Sequence, residues 1–225
     1  MSLEGAAASI ASTVISLAFT AVVFRQWLAH RKPYQLAWSL GLAMFTVAAL
    51  MQFLSEAYGW TEGVYRAYYF VAAPLVAVLG VGSAFLANRR LGLVFSAYTG
   101  ILTLAFAWIV FTAPVNGTAL QQSFPAGQGF SDSVRIWSPL FTIPGSLALI
   151  VIALYSYVRS RLVFNLWIAA GAIVAAGSGS LAVFGVTWAL YLGELLGIAL
   201  MFWGFLESRD VAKAPGPVQE KVSAS

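Results

Sequence analysis

Glu194 is the residue of this chain best placed to do chemistry. It stands in Tyr191-Leu192-Gly193-Glu194-Leu195-Leu196-Gly197, an otherwise apolar run, and is the one carboxylate well inside such a run. A helix beginning at Val186 places it about 12 Å from the helix start, at 1.5 Å per residue. A charge at that depth costs several kcal/mol unless it is paired, protonated or hydrated, so Glu194 must face the interior of a bundle. By depth, its expected partner is Arg66 or Arg135, through a charge-assisted hydrogen bond. At the same level fall Gln52 and Glu56, Tyr68 and Tyr69 beside Tyr65, Ser138 and Thr142, and Trp188 and Tyr191. These residues predict a polar, aromatic pocket or network in the outer half of a helical bundle. The plainer alternative is a buried structural pair that fixes how helices pack.

Other chemistries have no residues to carry them. The chain has no cysteine, which excludes disulfides, iron–sulfur ligation and thiol reactions. Its single histidine, His30, lies in a basic loop with no second ligand, so no metal site is expected. No carboxylate pair, histidine cluster or Ser-His set is predicted at membrane depth, and an enzyme is not expected.

The elements that must position these residues are apolar and long. Seven stretches read as spans: Ala8 to Leu28, Gln35 to Ser55, Val64 to Ala87, Leu91 to Val115, Ile136 to Val158, Val163 to Phe184 and Val186 to Leu206. About 20 mostly apolar residues cover a hydrocarbon core roughly 30 Å thick. Backbone groups in lipid must be paired within their own segment, so the spans should be helices. The composition agrees, at 60% hydrophobic and 9% charged residues with mean hydropathy +0.84. The expected fold class is therefore an all-α integral membrane protein. Residues 1–206 form its seven-helix domain and residues 207–225 a disordered cytoplasmic tail.

Charge gives the orientation. Of the twelve Lys and Arg, ten fall on one side of the seven spans: Arg25, Arg31, Lys32, Arg89, Arg90, Arg159, Arg161, Arg209, Lys213 and Lys221. Arg66 and Arg135 fall on the other. The positive-inside rule then places the amino terminus outside and the carboxyl terminus in the cytoplasm of a multi-pass plasma-membrane protein. The net charge of +4 is thereby a topology signal, and nucleic acid is not an expected partner. The first span lacks a preceding basic segment and is expected to be retained.

A faint repeat pairs spans one to three with spans five to seven. Phe24-Arg25-Gln26-Trp27, a basic turn and Leu36-Ala37-Trp38 can be laid beside Tyr155-Ser156-Tyr157-Val158, a basic turn and Asn165-Leu166-Trp167. The fourth span would link the halves in a 3+1+3 arrangement. In the sixth span, Gly171, Ala175 and Gly179 recur every fourth residue, the pattern of a close-packing face.

Two segments resemble microbial rhodopsins. Tyr65-Arg66-Ala67-Tyr68-Tyr69-Phe70-Val71-Ala72-Ala73-Pro74-Leu75 is similar to their third helix, with Tyr69 and Pro74 keeping the spacing of its Trp and Pro. The last span is similar to their seventh helix, with Glu194 at the acidic position. The resemblance implies a rhodopsin-like seven-helix fold. It also marks a departure, because Ile198 stands where the retinal-binding lysine belongs and Tyr68 replaces the counterion Asp. The chain's lysines are Lys32, Lys213 and Lys221, in a loop and the tail, so no retinal Schiff base can form within the bundle. A noncovalent apolar ligand or a lipid could still occupy such a cavity.

Three functions fit these features. The first is a ligand-binding or sensory protein. The second is a small-solute or ion transporter or channel using Glu194. The third is an accessory membrane subunit. The lipid bilayer is the expected partner in each, joined by a small-molecule ligand in the first, and a homo-oligomer is compatible with all three.

Overall fold

The computed structural model describes residues 3–121, 128–183 and 187–213, and among them there is no strand. Seven long helices make up the fold: α1 Leu3–His30, α2 Pro33–Tyr58, α3 Glu62–Ala87, α4 Arg89–Thr112, α5 Trp137–Ser160, α6 Phe164–Val183 and α7 Thr187–Lys213. A 3-10 turn, Ala119–Gln121, and a single helical turn, Asp132–Arg135, lie between α4 and α5. Six of the helices are long and apolar enough to cross a membrane; in α6 the apolar stretch measured is shorter, Phe164–Gly179. The chain is thus a helical bundle of the multi-pass membrane kind.

The helices extend past the expected spans because their ends can leave the apolar layer without breaking. α7 runs on to Lys213 rather than stopping at Leu206, so residues 207–213 are helix and not tail. Ser208 Oγ donates to the carbonyl of Phe205 there. Residues 214–225, the rest of the expected tail, lie outside the described residues, as do 122–127 in the longest connection. The α6–α7 junction, residues 184–186, is outside them too.

Local signals explain the boundaries. Pro33 opens α2, where its missing N–H costs nothing. Thr61 and Asn88 cap α3 and α4, their side chains accepting the backbone N–H of Val64 and Arg90. Pro74 and Pro144 lie within α3 and α5, as membrane helices allow when neighbours shield the freed carbonyls.

Packing runs in the order α1–α2–α3–α5–α6–α7 and closes from α7 back to α1, where Phe19 stacks on Phe202 with centroids 4.9 Å apart. α4 lies outside this ring, along α3, and reaches α5 through Phe106, which meets Phe141 edge-on at 5.3 Å. Lipid offers helices no hydrophobic drive to associate, so close backbone approach decides where they hold. A Cβ on Gly145 would lie 2.6 Å from the backbone N of Ala77, and one on Gly197 would lie 2.8 Å from the carbonyl O of Gly171. Glycine is therefore required where α5 crosses α3 and where α7 crosses α6. Gly171 and Ala175 do form the expected close-packing face, against Gly197. Gly179 does not: a Cβ there would meet nothing within 4 Å, because Gly179 lines open space.

Candidate ligand-binding cleft

A cleft of about 740 Å³ lies between α3, α5, α6 and α7, with Phe45, Ala48 and Ala49 of α2 at its back. Along α5 its lining runs from Arg135, in the turn before the helix, to Leu149. That is about 20 Å at 1.5 Å per residue. Alanines make much of the wall: Ala72 and Ala73 from α3, and Ala172, Ala175 and Ala176 from α6. Small side chains on facing helices leave volume that larger ones would fill. Polar groups reach the cleft at a few points: Tyr68 and Tyr69, Arg135 with Ser138, Thr142 and Ser146, and Glu194.

Of the residues predicted from the sequence, Gln52, Tyr68 and Glu194 meet in one hydrogen-bonded set, and Glu56 and Tyr191 in another. Gln52 and Glu56 are four apart on α2, and Tyr191 and Glu194 three apart on α7, so each pair presents one face to the other helix. Tyr191 Oη donates to Glu56 Oε1 at 2.6 Å. Gln52 Nε2 donates to Tyr68 Oη and to Glu194 Oε1, both at 3.3 Å. Gln52, Glu56, Tyr68 and Tyr191 are all buried, whereas Glu194 is half-buried and lines the cleft. The Oε1 of Gln52, itself 1% exposed, has no hydrogen-bond partner.

The arginines are not where the depth argument put them. Arg66 pairs with Glu62, one turn earlier on its own helix, at 2.9 Å from Nε and 2.7 Å from Nη2. Its Nη1 donates to the carbonyl of Val110 on α4. Arg135 pairs with Asp132 at 2.9 Å. These are the two ion pairs among the described residues, and neither includes Glu194. The physical reason is local. A guanidinium at a helix start finds a carboxylate three or four residues away at little cost, whereas reaching Glu194 would bury it deeper. Arg135 still lines the outer part of the cleft, while Arg66 lies outside it. Trp188 is another correction, since it is 63% exposed on the surface of α7 and does not line the cleft.

Sequence reading missed the lid over the outer end. Phe130, in the connection before α5, is 4% exposed and packs on Tyr65 and Tyr69 with centroids 5.2 and 5.1 Å away. Gly129 N–H donates to Tyr65 Oη at 3.1 Å, and Trp60 meets Tyr65 and Tyr68 edge-on. The signal available was an aromatic residue, one of two phenylalanines within a largely polar connection. The position aligned with the rhodopsin lysine, Ile198, is wholly buried in the core. Set against family models, curated proteins and solved structures, the chain matches none.

Proposed function

We propose that this chain is a non-enzymatic seven-helix membrane protein that binds a small, largely apolar molecule noncovalently in the cleft between α3, α5, α6 and α7. In this reading α6 also crosses the membrane and brings the spans to seven, the helix order is rhodopsin-like, and the amino terminus is outside. The observation that carries the reading is the cleft. Its volume of about 740 Å³ suits a small-molecule ligand, and its apolar walls carry a few convergent polar groups, the usual makeup of a ligand site. Covalent retinal has no place in it, because the buried Ile198 offers no amine.

The test is extraction. Protein purified in mild detergent should release one dominant small molecule on denaturation, identified by mass spectrometry. Ser146→Trp, which fills the cleft from α5, should abolish it. Equal recovery from both proteins, or no molecule beyond bulk lipid, would overturn the reading. Orientation is tested separately with a cysteine at the exposed Gly117. An impermeant thiol reagent should label it in intact cells, and protection until lysis would reverse the topology.

A second reading has its own support. Glu56 and Glu194 stand on different helices, Glu56 bonded to Tyr191 and Glu194 to Gln52, which also bonds Tyr68, buried polar groups of the kind used in proton or cation transport. Ion flux into proteoliposomes that Glu194→Gln abolishes would favour transport over binding alone.

A further inference from the structure

We infer that the cleft takes a single-chain amphiphilic amine, admitted sideways from the bilayer between α5 and α6, with its ammonium group held by Glu194. The inference rests on the binding reading above and names its ligand class and its route.

The route follows from which lining residues are also exposed. Ile143 and Leu147 of α5 line the cleft and are 60% and 58% exposed, and Pro139 and Ala176 are likewise both lining and exposed. The cleft therefore reaches the outer surface of the bundle between these two helices. α5 and α6 are joined at the opposite end, where Asn165 Nδ2 donates to Ser160 Oγ and the carbonyl of Leu162. From that hinge-like end they part towards Pro139 and Gly179. Every residue on the rim is apolar, so a molecule dissolved in the bilayer passes without meeting water or a charge. At the extracellular end, by contrast, Phe130 and its aromatic partners cover the bundle.

The ligand class follows from the polar groups inside. Glu194 offers a carboxylate to the cleft and has no basic partner among the described ion pairs. Gln52, whose Nε2 donates to that carboxylate, does not itself line the cleft. Acceptors left unmatched at this depth are costly, and a ligand that supplies the donors removes that cost. An ammonium carries three N–H donors and a positive charge. A hydroxyl supplies one donor and no charge, and a carboxylate supplies repulsion. Below Glu194 the wall continues through Leu75, Leu79, Leu149 and Met201, about 10 Å of apolar depth on α7 at 1.5 Å per residue. That is room for one alkyl chain.

The experiment uses the full chain in phosphatidylcholine nanodiscs with two photoreactive probes, a diazirine-bearing long-chain amine and its alcohol twin. Labelling of peptides containing Leu149, Leu190 and Met201 is followed against probe concentration. A charge-assisted hydrogen bond lost to a neutral one should make half-labelling by the alcohol require roughly tenfold more probe or above. Glu194→Gln should erase that preference, and Ala176→Trp at the rim should slow labelling by both. If neither probe labels these peptides, the binding reading itself fails. If both label equally, or Glu194→Gln keeps the preference, the amine assignment is wrong and the binding reading stands. Displacement of the amine by phosphatidylethanolamine in the disc would overturn a single-chain ligand, and an unchanged rate in Ala176→Trp would overturn the sideways route.

Discussion

The first three helices and the last three are built from similar apolar stretches, yet they pack differently. α2 lies against both of its neighbours, whereas α6 lies tightly along α7 and stands apart from the outer half of α5. In the first group, larger side chains fill what glycines leave. A Cβ on Gly41 would lie 2.7 Å from the side chain of Leu79. In the second group, small residues meet small residues on one flank only. Gly171 and Ala175 touch Gly197, while Ala172, Ala176 and Gly179 border the cleft. A small residue permits approach without producing it. Where the partner is also small the backbones close, and where the partner's bulk points elsewhere a cavity remains.

The contrast is open to direct attack. The largest effect should come from the tight flank, where Gly197→Leu must push α7 off α6. We expect a loss of about 3 kcal/mol or more, seen as a lower midpoint in detergent unfolding. A midpoint within error of the parent would mean the two helices are not in contact as described. Next is the polar tie between α2 and α7. Tyr191→Phe removes the 2.6 Å hydrogen bond to the buried Glu56, and the expected cost is about 1 to 3 kcal/mol. A neutral result would show that Glu56 is satisfied without it. The smallest effect should come from the open flank. Ala176→Leu places new atoms beside the cleft and should shift stability by no more than about 0.5 kcal/mol. A loss as large as that of Gly197→Leu would show that α6 is closed on both sides, and the comparison between the halves would fall.

The arginines show where reading by depth reaches its limit. Arg66 and Arg135 share one end of the bundle with Glu194, and by depth alone either could reach it. The sequence also shows Glu62 four residues before Arg66 and Asp132 three before Arg135. Those spacings win because the nearer carboxylates lie at the wet end of a helix, where Asp132 is 95% exposed and an ion pair demands little desolvation. Helical spacing was equally informative within the network. Gln52 with Glu56 and Tyr191 with Glu194 fall on common faces, and the fold brings those faces together.

What the sequence determined by itself is the architecture in one dimension: where the helices run, that their faces are apolar, and that a carboxylate sits at depth on the last of them. Those properties follow from length, hydropathy and local spacing, which are written along the chain. What only tertiary structure decided is which small residues are pressed together and which are left bordering space, which arginine meets which carboxylate, and that Phe130 folds back over Tyr65 and Tyr69. Each of these depends on the partner across an interface, and a single chain read in order names the residues of a face without naming what stands opposite. Glu194 is legible as a buried acid from its position. That it opens onto a cleft, with the amide of Gln52 donating to it from behind, is a consequence of how α2, α5 and α6 stand around it.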